Sequence, residues 1–369
     1  MKSDELLIAL QTFGLRLEDN LNNQGRRGGA GPTDHKAVRI AGTTIMVPVY
    51  NLASDVSPFI ATKPDDFGTS RIMKDGEQVG VALFPKVPEF YKHFSSDGVP
   101  FWKIAQLHSH NVLATTVLQN CIRYNDKDTS CQFCAIGESL KNETTIAFKK
   151  PHHLAEVAKL AVALDGIEQF VITTGTPGTP DRGAKILYDS VIAIKAELPN
   201  LPIQVQCEPP NDFAWFQKLK DAGADTLGMH LEAVEDSVRQ RIMKGKAEVP
   251  MDYYMKAFEA AVKVFGRGQV STYLLAGLGD SADSLIDMSR ELIEIGVYPF
   301  VVPFVPVKNT PLQNHPAPDR HFMKTVLSEV GQMLAIADLT SDKMKSGCGK
   351  CGACSTLKLY EKKALEVIN

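Results

Sequence analysis

From about residue 111 the chain alternates short apolar runs with longer stretches of helical periodicity, a pattern that predicts successive βα units around a parallel sheet. The apolar runs are Val112–Leu118, Phe170–Thr174, Ile203–Cys207, Thr226–Leu231, Val270–Ala276 and Phe300–Val305. Between the first two, Leu154, Val157, Leu160, Ala161 and Leu164 recur at spacings of three and four, as the buried stripe of an amphipathic helix should. Pro151 suits the opening of that helix. Segments 183–197, 211–222, 251–265 and 282–295 read in the same way, with Gly223, Gly266 and Gly296 placed where helices commonly stop. Six units spread over about 200 residues fit either a partial TIM-like barrel or an open doubly wound sheet, and periodicity does not choose between them. Both architectures gather ligands at the carboxyl ends of the strands, and Cys121 follows directly after the first run.

Residues 1–110 differ in pattern. Thr43–Val49 and Val79–Phe84 read as antiparallel strands, and residues 22–36 form a basic, Gly-rich stretch. That stretch lacks the Lys-Ser/Thr ending of a phosphate-cradling loop and reads as a plain flexible connection. After Leu312 one more helix is expected at about 318–338, followed by a tail that holds three cysteines. The expected organisation is therefore an N-terminal α+β extension over 1–110, an α/β barrel or sheet over 111–315, and a C-terminal helix with a cysteine-rich tail over 316–369.

Composition narrows the function classes. With 369 residues, 44% of them hydrophobic, the chain can bury a large core. Forty Lys and Arg against 43 Asp and Glu leave a net charge of -3 without long runs of one sign, which argues against a nucleic-acid surface. The N-terminus is interrupted by acids every few residues, unlike a secretory signal, and no run reaches the length of a membrane span. A cytoplasmic location with no membrane partner is the expectation.

In that compartment, seven cysteines point to metal ligation rather than disulfides. Three stand at 121, 131 and 134, three at 348, 351 and 354, with Cys207 alone between the groups. A four-iron cluster held by only three thiolates leaves one iron open to another ligand. If S-adenosylmethionine (SAM) chelates that iron, an electron from the reduced cluster enters the sulfonium, and the resulting 5′-deoxyadenosyl radical abstracts hydrogen from a substrate. On residue types alone, a zinc site or buried thiols remain the alternatives.

Cys131-Gln-Phe-Cys134 resembles the end of the radical SAM motif, in which an aromatic residue, here Phe133, precedes the last cysteine. The nine residues between Cys121 and Cys131 exceed that superfamily's usual spacer. Further matches lie downstream, over about residues 111–315. Thr174, Gly175 and Thr176 fall where the superfamily usually has Gly-Gly-Glu against the SAM amino group, and the Glu is missing. The fourth strand ends at Leu231-Glu232, followed by Arg239 and Arg241, which resembles the biotin-synthase-like branch. The resemblance implies Glu232 for the ribose hydroxyls and Arg239 or Arg241 for the methionine carboxylate, to which a guanidinium fork is suited. Gly277, in Ala-Gly-Leu-Gly-Asp, resembles the Gly-rich segment beside adenine, and Thr310-Pro-Leu312 resembles the end of the last strand in biotin synthase relatives. A largely uncharacterised radical SAM group encoded beside a bacterial nitrilase is similar in length and tail, which implies a place near nitrile nitrogen metabolism. The fold implied is a partial TIM-like (β/α)6 barrel. The cofactors implied are SAM and a [4Fe-4S] cluster on Cys121, Cys131 and Cys134, and the partners are a small-molecule substrate and a reductant such as flavodoxin or ferredoxin.

The tail spaces Cys348, Cys351 and Cys354 like the first three ligands of a ferredoxin run, which points to a second Fe–S cluster or to structural zinc. Its fourth position is open between Cys207 and an iron left free for substrate or a non-cysteine ligand. His108 and His110 read as structural because they precede the first strand; His230 reads as a core histidine or a cavity residue, and Tyr273 and Asp280 are candidate substrate contacts. Two further functional readings stay open at this point. One is sulfur insertion with the tail cluster as donor, and the other is a non-catalytic zinc or Fe–S electron-transfer module.

Overall fold

The computed structural model describes residues 3–18, 35–49 and 52–368, so the loop expected at 22–36 lies outside the described residues except for His35 and Lys36. Six parallel strands form the central sheet: β1 (Val112–Thr116), β2 (Gln169–Thr173), β3 (Ile203–Gln206), β4 (Thr226–Gly228), β5 (Val270–Ala276) and β6 (Val297–Pro303). Helices α1 (Pro151–Asp165), α2 (Ala184–Glu197), α3 (Ala214–Asp221), α4 (Met251–Phe265) and α5 (Ala282–Glu294) fall between successive strands, and α6 (Arg320–Ile336) follows the last.

Strand order decides between the two architectures that periodicity left open. A doubly wound sheet reverses its order at a switch point. Here the strands pair strictly in sequence from β1 to β6, so right-handed crossovers keep all the helices on one face. Residues of both β1 and β6 line a single cavity on the other face, so the sheet curls into a partial barrel. A seventh strand, Gln106–His108, pairs antiparallel with β1 from ahead of residue 111.

Apolar packing seals the outer face of the sheet. Leu154, Val157, Ala158 and Ala161 of α1 are fully buried against Leu113, Phe170 and Ile172. Leu160 is half-buried and Leu164, in the last turn, is exposed. Pro151 opens α1, and Gly166 ends it in the left-handed conformation that favours glycine.

A second sheet, built from Arg16–Leu17, Phe59–Ala61, Thr69–Lys74, Glu77–Leu83, His35–Ile40 and Thr43–Pro48 in that spatial order, covers helix Ser3–Phe13 through Leu6, Leu7 and Leu10. The two halves meet at the tail. The Met46 amide donates to the Ala353 carbonyl at 2.7 Å, and the Gln11 amide reaches the same oxygen at 3.1 Å. The final helix, Leu357–Ile368, lies on α6 at Gly331, where any side chain would collide with Tyr360. Among the described residues, no helix is long and apolar enough to cross a membrane.

Candidate functional site

The barrel encloses a cavity of about 410 Å³, and all six cysteines of the two triplets line it. Its walls follow from strand alternation: Val112, Ala114 and Thr116 of β1, Val171 and Thr173 of β2, and Tyr273 and Leu275 of β5 point inward at every second position.

Cys121, Cys131 and Cys134 stand at the carboxyl end of the strands. Two loops are joined there, because the Gly175 amide donates to Leu118 at 2.9 Å and the Ile122 amide to Thr176 at 2.9 Å. A Cβ on Gly175 would strike the Asn120 carbonyl, so glycine is what lets the β2 loop press against the Cys121 turn. The turn carrying Cys131 and Cys134 is docked on the end of helix Asp236–Ile242, whose Ile242 and Arg241 carbonyls accept from the Gln132 amide and side chain at 2.8 and 2.7 Å. The long spacer thus folds back. Burial pushes the Cys131 thiol well up, with Glu232 and Cys134 adding to the effect. Burial likewise pushes Cys134 up to about 12, with Glu232 and Cys121 contributing. Half-buried thiols desolvated beside two carboxylates become thiolates readily only when a cation joins them, which suits a metal centre.

The charges around this triplet are partly paired. Lys246 donates to Glu232 at 2.8 Å, and Arg123 pairs with Glu208, which also accepts from Thr176 at 2.8 Å. Glu232 has φ of +69°, a left-handed conformation that is costly for a side-chain-bearing residue and is often kept at functional sites. Backbone bonds to Tyr273 and Leu275, both 2.8 Å, hold it there.

Of the cofactor contacts expected from sequence, Phe133, Thr174, Gly175, Thr176 and Glu232 line the cavity. Arg239, Arg241 and Gly277 are not brought to its wall. Arg239 is buried behind it, donating to the Val249 carbonyl at 2.7 Å. Arg241 is exposed and reaches the Leu278 carbonyl at 3.2 Å, while the Gly277 carbonyl accepts from His315 at 2.8 Å. The cation on the wall is Lys246. Asp280 serves the fold, accepting from the Val234 and Glu235 amides at 3.1 and 2.7 Å. Glu208 follows directly after Cys207 at a strand end, a position that barrel logic marks for ligands. Lys246 sits in Lys-Gly-Lys-Ala, which reads as surface charge, so no local pattern announces it.

The tail triplet enters from the opposite end. A short helix, Cys348–Cys351, is held by glutamines near the strand starts: Gly347 donates to Gln169 at 2.6 Å, Cys348 to Gln204 at 3.0 Å and Lys345 to Gln269 at 2.9 Å. The Gln206 amide donates to Cys348 Sγ at 3.1 Å, and the Tyr273 hydroxyl also bonds this sulfur. Cys354 Sγ lies 3.5 Å from His108 Nε2, which lines the cavity although sequence reading set it aside. His230 accepts from the Tyr273 amide through Nδ1 at 3.2 Å, leaving its proton on Nε2. Burial holds its pKa down to about 3, with Lys246 adding to the effect.

Residues 128–292 match the model of the radical SAM superfamily, a stretch that takes in Cys131, Cys134 and strands β2 to β5. The chain is 27% identical over 230 residues to bacteriochlorophyllide c C-7(1)-hydroxylase from Chlorobaculum limnaeum, covering 57% of this chain and 56% of that protein, so it spans little more than half of that relative's length. Methylornithine synthase is a structural neighbour at 19% identity and a TM-score of 0.47, covering 66% of this chain and 67% of the other. The FeFe-hydrogenase maturase HydG from Carboxydothermus hydrogenoformans is another, at 18% identity and a TM-score of 0.46, covering 60% and 51%.

Proposed function

We propose, from the premise that this chain carries a radical SAM domain, that it binds a [4Fe-4S] cluster on Cys121, Cys131 and Cys134 and cleaves SAM to act on a small molecule. The observation that carries the reading is the convergence of these three thiols at the strand ends of the cavity, beside the Glu232 and Lys246 pair. When bound, the cluster supplies an electron to the SAM sulfonium and so generates the radical that removes hydrogen from substrate.

The chain's own residues do the positioning. Phe133 would stand beside a cluster held by these thiols, and Thr174 to Thr176 would offer hydroxyls and backbone carbonyls to the amino group. Glu232 accepts from the ribose hydroxyls, and Lys246 neutralises the methionine carboxylate in place of Arg239 or Arg241. Val112, Ala114 and Val171, between the two triplets, provide an apolar seat for substrate and exclude water. A reduced flavodoxin or ferredoxin is the proposed electron source. Cys348, Cys351 and Cys354 are proposed to hold a second Fe–S cluster under the substrate. The same proposal divides the chain into an extension over 1–110 and a tail over 316–369 that close the barrel over 111–315 from below.

Anaerobic reconstitution tests this. The protein should take up about eight irons and release 5′-deoxyadenosine when reduced with SAM. A colourless protein that holds zinc and leaves SAM intact overturns the reading. Because both triplets line one cavity, sulfur insertion with the tail cluster as donor is a second reading. Loss of sulfide from the tail site during turnover would favour it.

A further inference from the structure

We propose that His230, through its Nε2–H, binds the substrate at a neutral oxygen of the carbonyl type, so that the substrate is a small, mainly apolar molecule carrying one such acceptor. This rests on the reading that SAM is cleaved at Cys121, Cys131 and Cys134.

His230 stands where β4 and β5 lose their register. Gly228 pairs with Ser271 and the next pairing is Glu232 with Leu274, so the chain leaving β4 uses one residue more than β5 over this interval. A bulge of this kind re-aims a side chain, and bulges recur beside active sites. Here the Tyr273 amide meets an imidazole in place of a backbone carbonyl and donates to His230 Nδ1 at 3.2 Å. An acceptor at Nδ1 fixes the tautomer, with the hydrogen on Nε2. The ring lies on the inner face of the sheet. A Cβ at Gly228 would come within 3.0 Å of Gln206 Cγ and 3.1 Å of His230 Cε1, and both of these residues line the cavity. Tyr273 packs edge-on against the ring, with centroids 4.5 Å apart. Nδ1 is thus committed to the sheet, and Nε2, across the ring, faces away from β5 toward the cavity. That nitrogen is buried and has no acceptor among the described residues. A buried N–H is costly to keep unless something supplies an acceptor, which a ligand in the cavity would do.

The class of acceptor follows from charge. Burial and Lys246 keep the imidazole neutral, so it offers a hydrogen bond without a countercharge. Lys246 is bonded to Glu232 at 2.8 Å and Arg123 to Glu208, so these cations are already matched. An anionic group at Nε2 would be buried without a cation of its own, whereas a carbonyl oxygen exchanges one neutral hydrogen bond for another. Val112, Ala114 and Val171 on the cavity wall receive the apolar remainder.

The test uses the reconstituted full chain with SAM, cyclohexanone as the probe, and methylenecyclohexane, which has the same shape without the oxygen, as the control. The ketone should bind about 10-fold more tightly than the hydrocarbon. On reduction, fully deuterated cyclohexanone should lose a deuterium atom to the 5′ carbon, leaving a carbon radical on the probe and deuterium in the released 5′-deoxyadenosine. H230N keeps an acceptor for the Tyr273 amide but stops short of the cavity; it should erase the binding preference and lower the deuterated fraction while total 5′-deoxyadenosine holds. H230Q carries an amide donor out to the position of Nε2 and should restore both in part. A ring that serves only the fold would give the reverse order, with H230Q the more damaged. That order, a wild-type chain that takes up no ketone or binds the two probes alike, or a preference that survives H230N overturns the assignment of His230. A chain that forms no 5′-deoxyadenosine at all overturns instead the reading on which it rests.

Discussion

The two ends of the cavity place cysteines against it in opposite ways. At the carboxyl ends of the strands, the loops carrying Cys121, Cys131 and Cys134 sit among Glu208, Glu232, Arg123 and Lys246, a charged mouth. At the other end, Cys348 and its neighbours are held by the amides and carbonyls of Gln169, Gln204, Gln206 and Gln269, all of them buried. A mouth with paired charges can exchange those pairs for the charged groups of an incoming cofactor. A base lined by neutral donors is suited to a resident centre, since each amide bond contributes about 1 kcal/mol and no charge is left bare.

The sharpest way to break this comparison is to remove one thiol from the mouth. Cys134→Ala should lower SAM cleavage by more than about 1,000-fold, equivalent to about 4 kcal/mol of barrier. It should also remove about four irons and leave the tail's share in place. Iron analysis with 5′-deoxyadenosine release reads both, and retention of cleavage would mean that the mouth is not where the cofactor reacts.

Next is the charge pair. Lys246→Met leaves the half-buried Glu232 uncompensated, which should weaken SAM binding by about 10- to 100-fold at unchanged iron content. Arg239→Lys should instead reduce stability and spare affinity, because the Arg239 guanidinium faces Val249 and Met251 rather than the cavity. Equilibrium binding to the reconstituted protein separates the two. If Arg239→Lys proves the more damaging to affinity, the cation that meets the cofactor has been misassigned.

How much of this was legible follows from the kind of signal each residue leaves. The six strands showed themselves as apolar runs because both faces of a curled parallel sheet are covered. The short strand β4 ends at Gly228, before the expected Leu231, because one extra residue bulges between the Gly228–Ser271 and Glu232–Leu274 pairings and leaves Glu232 in its left-handed conformation beside β5. Cys131 and Cys134 are legible from their spacing. The approach of Cys121 is not, since it depends on Gly175, Asn120 and the docking of Gln132 on a distant helix end. Arg239 misled because a charged residue near a strand end reads as a ligand, while its buried partner Val249 is a backbone oxygen that leaves no mark in the sequence. His108 stands ahead of the first strand and leaves no mark of its own; it is the tail's entry from below that brings Cys354 Sγ within 3.5 Å of its Nε2.

pH offers a subtler way to sharpen the contrast. His230 is neutral in the folded chain, with its pKa held down to about 3 by burial and by Lys246. The unfolded chain protonates the same ring near pH 6.5, so below that pH the unfolded state binds the extra proton. The contribution of His230 is therefore fully present above about pH 6.5 and is lost at up to about 1.4 kcal/mol per pH unit as the pH falls toward the folded value. His230→Gln should flatten that part of the acid dependence in anaerobic urea titrations. An unchanged slope would mean that the ring is charged or solvated between the two triplets.

The smallest expected effect concerns a single amide at the base. Gln206 donates both to Cys348 Sγ at 3.1 Å and to Gln204 Oε1 at 2.7 Å. Gln206→Leu keeps the volume of the wall and removes the N–H aimed at sulfur. Gln169 and Gln204 still hold the Gly347 and Cys348 amides, so the tail stays docked and its iron is retained. What changes is the reduced state, whose added negative charge loses a donor, and the tail's reduction potential should move negative while that of the mouth stays fixed. A potentiometric titration that shows both signals unmoved would place the Cys348 sulfur off the metal, because a thiolate bound to iron responds to a lost hydrogen bond and an unbound thiol has no potential to shift.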